Sequence, residues 1–150
     1  MAQKNRPAPV APARPIPDWT AIPLFIILAL IFFKAQIFGT AFFWEDFIEE
    51  IYPKVSFAAA HLAKLTLPFW NPCTFSGMPY LADSNAGLFY PFNMLLALFV
   101  SDGRLSVTAL EMVIVLHIVI AQLAMFFLSR RLFGMSFLAA VFTAVSYAFS

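Results

Sequence analysis

The stretch SVTALEMVIVLHIVIAQLAMFFL, residues 106 to 128, is apolar almost throughout and ends at Ser129-Arg130-Arg131. A helix needs about 20 such residues to cross the hydrocarbon of a bilayer, so this run reads as a full membrane span with a basic stop. The rest of the chain has the same character. Of its 150 residues 62% are hydrophobic and 11% charged, whereas a soluble domain carries about 25% charged residues. The net charge of +1 offers no polycationic surface, so nucleic acid is not expected as a partner. Cys73 is the single cysteine, which leaves no internal disulfide and no cysteine zinc site.

Toward the N-terminus, residues 19 to 44 run from Trp19 to Trp44 with only Lys34 and Gln36 interrupting the apolar pattern. They predict a first membrane helix with a tryptophan at each interface. Residues 1 to 18 are proline-rich and basic and predict a disordered tail. Residues 130 to 135 form a short turn after the second span (104 to 129), and residues 136 to 150 begin a third, too short to cross by itself. The chain therefore reads as an all-α membrane protein, the N-terminal part of a multi-span helical bundle whose remaining spans lie beyond this sequence.

Residues 45 to 103 form a long first loop. Lys4, Arg6, Arg14, Arg130 and Arg131 fall on one side of the membrane if residues 87 to 100 do not cross. That puts the N-terminus in the cytoplasm and the loop outside. Residues 87 to 100 are apolar but about 14 long, and predict a helix that lies in the interface or re-enters.

Within this loop Phe47, Ile51, Val55, Ala58, Leu62 and Leu65 recur at helical spacing, with Pro53 expected to kink or restart the helix. Such a helix lies on the membrane surface, in contact with lipid. Glu45, Asp46, Glu49 and Glu50 open it, and Asp46 and Glu50 share a face. They either cap and stabilise the helix start or supply a general base or metal ligand. Lys54, His61 and Lys64 on the other side either snorkel or hold a lipid phosphate. The segment PFWNPCTFSGMPY, residues 68 to 80, cannot be a helix and reads as a shaped aromatic loop. Trp70 and Tyr80 can anchor in the interface or stack on a bound ligand; Asn71, Asp83 and Asn85 can bind a polar ligand or close turns.

Among polar residues at membrane depth, Glu111 and Gln122 share one helix face, eleven residues apart and about 20° on the wheel. Lys34 and Glu111 either pair across the two spans or snorkel separately. His117 points elsewhere and reads as a packing histidine, with no second histidine at ligand spacing.

The order of FWED, PFWNPCTFSGMPYLADSNAGLFYPFNML and LHIVIAQLAMFFLSRRLFG resembles the N-terminal region of the bacterial YfhO-like membrane proteins, from about Trp19 onward. That resemblance implies kinship with the C-type glycosyltransferases (a GT-C-like fold) and a multi-pass protein of the bacterial inner membrane. It also implies transfer of a sugar from a polyprenyl-phosphate carrier to a cell-envelope acceptor at the outer face. Asp46 matches the family's acidic position, with Glu45 beside it where a glycine is common, so both stand as catalytic candidates. Lys54, His61, Trp70, Asn71, Tyr80, Asp83 and Asn85 stand as substrate-binding candidates. The paired D-x-D of the wider superfamily is absent, which leaves a divalent metal, with Asp46 as its contact, an open requirement. The alternative class is a non-catalytic membrane protein, a lipid-carrier transporter or an envelope assembly subunit.

Overall fold

The structure, a computed structural model, describes residues 16 to 150; all but the last three residues of the expected tail lie outside the described residues. The chain is mostly helical, as expected. Its spine is α5, Val107–Arg131, which begins at a serine cap: the Ser106 hydroxyl accepts from the Ala109 N–H. Arg130 and Arg131 occupy its last turn, where positive charge complements the helix dipole. Among the described residues α5 is the one helix long and apolar enough to cross a membrane.

Two shorter apolar helices pack on α5, namely α1, Ala21–Phe32, and α6, Phe137–Ala148. Ala21, Ala140 and Ala144 are fully buried around Phe126, and side chains this small let helix backbones approach closely. Phe126 meets the edge of Phe25 at 5.9 Å and of Phe137 at 5.4 Å. Further along, Ala29 and Phe33 cluster with Val115, so α1 runs antiparallel to α5. At the Arg130 end, Arg130 Nε donates to Asp18 Oδ1 at 2.8 Å and Nη1 to the Met135 carbonyl. This pins the start of α1 and the turn into α6 to one end of the bundle.

The first helix is shorter than the sequence predicts. It is interrupted at Phe33 (φ −96°, ψ 21°), resumes as α2, Lys34–Ile37, and stops well short of Trp44. Gly39 is the reason. It takes φ +66°, the Gly39 N–H bonds the Gln36 carbonyl and the Thr40 N–H bonds the Ala35 carbonyl. These two bonds satisfy the last carbonyls and reverse the chain. The Thr40 hydroxyl donates to that same Ala35 oxygen at 3.0 Å. A second copy of the device ends α3, where the Leu65 N–H bonds Leu62 and both donors of Thr66 bond the His61 carbonyl.

The amphipathic helix forms as expected, with Pro53 inside it. A π-helical turn, Phe47–Ile51, runs directly into α3, Tyr52–Leu62, and Pro53 falls in the first positions of α3, at the change from π-helical to α-helical hydrogen bonding. Phe47, Val55 and Ala59 of this segment form a core with Leu96, Leu105 and Leu110.

Two small antiparallel ladders complete the outer segment, residues 38 to 106, which lies between α2 and α5 and outside the bundle of α1, α5 and α6. Strands β1, Trp70–Asn71, and β2, Met78–Pro79, pair Trp70 with Pro79 and Asn71 with Met78. Strands β3, Val100–Ser101, and β4, Arg104–Leu105, are joined by Asp102-Gly103, both at positive φ, the two-residue turn whose twist suits a hairpin. This second hairpin feeds α5 and is clamped by α3. The Tyr52 hydroxyl donates to the Leu105 carbonyl at 2.7 Å, and the Leu105 N–H donates to Ser56 Oγ at 3.2 Å. Between the hairpins, α4, Pro91–Leu95, and a 3₁₀ turn, Leu96–Phe99, run from beside His117 back to the start of α5. His117 lies eleven residues past Ser106, about 16 Å along the helix. Residues 87 to 100 therefore run alongside α5.

The pairing of Lys34 with Glu111 does not form. Lys34 is exposed, whereas Glu111 is fully buried and its carboxylate has no hydrogen-bond partner. Gln122 does share its face, equally buried and unpartnered, with Ser129 continuing the row.

Gly77 carries the β1–β2 turn at φ +113°, and a Cβ there would come within 2.6 Å of the Trp70 ring. Gly77→Ala is therefore expected to destabilise the hairpin by about 1–3 kcal/mol and to move Trp70 off its seat. Reduced protection of residues 70 to 79 in hydrogen exchange would report it; unchanged protection would contradict the close approach.

Candidate functional site

A cavity of about 1040 Å³ opens between α5 and the outer segment. One wall is a face of α5 made by Leu110, Val113, Ile114, Ile118 and Ala121, with His117 among them. Opposite it stand hydrogen-bonding groups: Asp46 and Glu50 from the π-helical turn, and Asn85, Tyr90 and Asn93 from the returning chain. Trp44 and Tyr147 add aromatic surface. The cavity thus has one apolar wall on α5 and a facing wall where hydrogen-bonding groups alternate with Ile51 and Val55.

Asp46 occupies the position just before the π-helical turn, yet its side chain makes no capping hydrogen bond. The explanation of this carboxylate as a helix cap therefore fails, and it remains exposed on the cavity lining. Glu45 faces another way, into a shallow groove with Phe42, Ile48 and Glu49. The catalytic pair expected from sequence is divided by one residue's rotation.

Of the expected binding residues, Asn85 alone reaches the cavity. Lys54 is held by its neighbours: Nζ donates to Glu50 Oε1 at 2.8 Å and lies 3.2 Å from Asp83 Oδ2. An ammonium with two carboxylate partners is not a free phosphate ligand. Asp83 Oδ1 also accepts the Asn85 N–H at 2.9 Å, an Asx turn that sets Asn85 in place. His61 packs its ring 4.5 Å from that of Phe57, away from the cavity. Asn71 is buried, its amide donating to Thr74 Oγ1 and its carbonyl accepting the Cys73 N–H, so it closes a turn. Trp70 lies over Gly77 and is half exposed.

Tyr80, expected to anchor in the interface or stack on a sugar, is instead buried among Ala58, Ala86 and Leu88. Its hydroxyl donates to the Lys54 carbonyl at 2.8 Å. Burial, with the Asp83 charge adding to it, pushes its phenol up to about 12 from an ordinary 10.0. The hydrogen bond with Glu50, joined by Asp83 and opposed by burial, raises Lys54 above its ordinary 10.5. Both groups hold their proton more tightly folded than unfolded. The stability they contribute is whole below pH 10, and is lost as pH rises through 10 toward 12 for Tyr80 and above 10.5 for Lys54. An alkaline titration is expected to show tyrosinate absorbance and loss of near-ultraviolet ellipticity together, with a shallower loss in Tyr80→Phe. Separate transitions would break the link.

Tyr90 and Asn93 also line the cavity without being among the residues expected there from sequence, and His117 joins them rather than serving packing alone. The Asn93 side chain donates to the Gly87 carbonyl at 3.0 Å. His117 Nδ1 bonds the Val113 carbonyl and Nε2 bonds the Tyr90 hydroxyl. The signal available for these residues was the run Tyr90-Pro91-Phe92-Asn93, a helix start with two polar side chains in an apolar stretch.

Among the described residues no group of three or more His, Cys, Asp or Glu side chains converges to hold a metal ion. Asp46 shares the cavity with Glu50 alone of these residue types apart from His117, and the three do not form such a group. Comparison with protein-family models, with curated proteins and with solved structures finds no match to this chain.

Proposed function

We propose that this chain is the N-terminal part of a membrane glycosyltransferase-like protein, resembling the YfhO-like proteins, that engages a polyprenyl-phosphate-linked sugar at the outer face of a bacterial inner membrane. The observation that carries the reading is the uncapped Asp46 carboxylate on a cavity with one apolar wall and one that carries hydrogen-bonding groups. A lipid-linked sugar has the same two-sided chemistry. In this reading α5 crosses the membrane and the aromatic hairpin, with Phe69, Trp70 and Phe75 exposed, rests at the interface. The ion pair of Arg130 with Asp18 supports a cytoplasmic side shared by the N-terminus and the end of α5. Asp46 then acts as general base. The acceptor oxygen bonds to the anomeric carbon, its proton passes to Asp46, and the lipid phosphate leaves with the bonding electrons of the carbon–oxygen bond.

A second reading, a lipid-carrier transporter, is favoured by the break of the first helix at Phe33 and the unpartnered Glu111 and Gln122 inside the bundle.

The test is photolabelling of the full chain in lipid nanodiscs with a diazirine-bearing polyprenyl-phosphate sugar. Label is expected within residues 44 to 51 and 113 to 121, competed away by the unmodified lipid. Label confined to residues 62 to 79, or following Glu111 and Gln122, would overturn the reading.

A further inference from the structure

The pair at the His117 end of the cavity has a defined polarity. A backbone carbonyl only accepts, so the bond between His117 Nδ1 and the Val113 carbonyl places the proton of the neutral ring on Nδ1. Nε2 is then a lone pair, and the Tyr90 hydroxyl donates to it. Phe92 sets its ring edge against the imidazole at 4.8 Å, and Pro91 begins the short helix that carries both aromatics. Tyr90 has one hydroxyl hydrogen, and His117 takes it. Toward the cavity its oxygen presents lone pairs only.

The remaining polar lining is weighted toward negative charge by its two carboxylates. Asp46 and Glu50 are carboxylates, and one hydrogen of the Asn93 amide nitrogen is engaged by the Gly87 carbonyl, while Asn85 can donate as well as accept. Among the described residues no lysine or arginine lines the cavity, and Lys54 is held between Glu50 and Asp83. An anion entering here would meet two carboxylates and no cationic side chain. A neutral group rich in hydroxyl donors would find a partner at each.

We propose that the Tyr90–His117 pair is a hydroxyl-recognition site, in which the Tyr90 oxygen accepts a hydrogen bond from an uncharged sugar and His117 holds Tyr90 in its accepting orientation. This rests on the glycosyltransferase-like reading for the identity of the ligand and adds which part of it the cavity takes. The sugar enters, and the phosphate stays outside.

The experiment uses the full chain in lipid nanodiscs with nitrogen-15-labelled imidazoles, His117 being assigned with His117→Gln. The probes are farnesyl glucoside and farnesyl phosphate, which share one lipid and differ in the head. At mildly alkaline pH the expected signature is an unprotonated Nε2 that shifts on adding the glucoside and not the phosphate. Tyr90→Phe keeps the ring and removes the acceptor; it should abolish that shift and weaken glucoside binding about tenfold, the worth of one good hydrogen bond. A proton on Nε2 in the resting protein, an equal response to the phosphate, or unchanged glucoside affinity in Tyr90→Phe would overturn the proposal. A full glucoside response in a longer protein that transfers no sugar would uphold this site and remove the transferase reading alone.

Discussion

Under the proposed glycosyltransferase-like function, Asp46→Asn is expected to lower sugar transfer about 10²–10⁴-fold, the contribution of a positioned general base. The amide matches the carboxylate in size and cannot take a proton from the acceptor hydroxyl. Because the Asp46 side chain caps no helix and is exposed to the cavity, its replacement leaves the packing of Phe47 and α3 untouched. Lipid binding in the photolabelling assay should therefore stay near the wild-type level. Glu45→Gln provides the control, since Glu45 faces the opposite groove. Transfer by Asp46→Asn at the wild-type rate would end the assignment, and equal losses in both variants would point to charge at the helix start rather than to chemistry.

Tyr80→Ala is expected to destabilise the outer segment by about 3–5 kcal/mol, the range for removing a buried aromatic ring. The ring is 1% exposed, sits 5.4 Å from Phe57, and satisfies the Lys54 carbonyl through its hydroxyl. Tyr80→Phe loses the hydrogen bond alone and should cost about 1 kcal/mol. Chemical denaturation followed by near-ultraviolet circular dichroism separates the two variants. If Tyr80→Ala unfolds at the wild-type denaturant concentration, the ring does not join α3 to the returning chain.

The parts of this fold that were legible in the sequence are those that depend on neighbours a few residues away. Ser106 before a long apolar run and Arg130-Arg131 after it mark α5 at both ends, and helical periodicity alone puts Glu111 and Gln122 on one face. The stop at Gly39 was equally local and was passed over, because the apolar residues on either side of it hide the one residue that can reverse the chain. Asp102-Gly103 is a hairpin signal of the same kind. The site was another matter. Asp46, Asn85, Tyr90 and His117 meet only because α3 clamps Leu105 through Tyr52 and Ser56 and so draws the returning chain onto α5. Nothing in the spacing of Tyr80 distinguishes a buried anchor from an interfacial one; its place follows from contact with Lys54, 26 residues away.

The paired reversals at Gly39-Thr40 and Leu65-Thr66 imply an order of assembly. Each closes through bonds spanning at most five residues, and loops this short close in well under a microsecond. The clamp on Leu105 joins residues 53 and 49 apart, a closure that must first meet a much larger entropic demand. The two ends of the outer segment are thus expected to turn early, as their neighbouring helices form. The cavity closes late, once α5 is in place to receive it. A substitution on the cavity wall should accordingly speed unfolding far more than it slows folding.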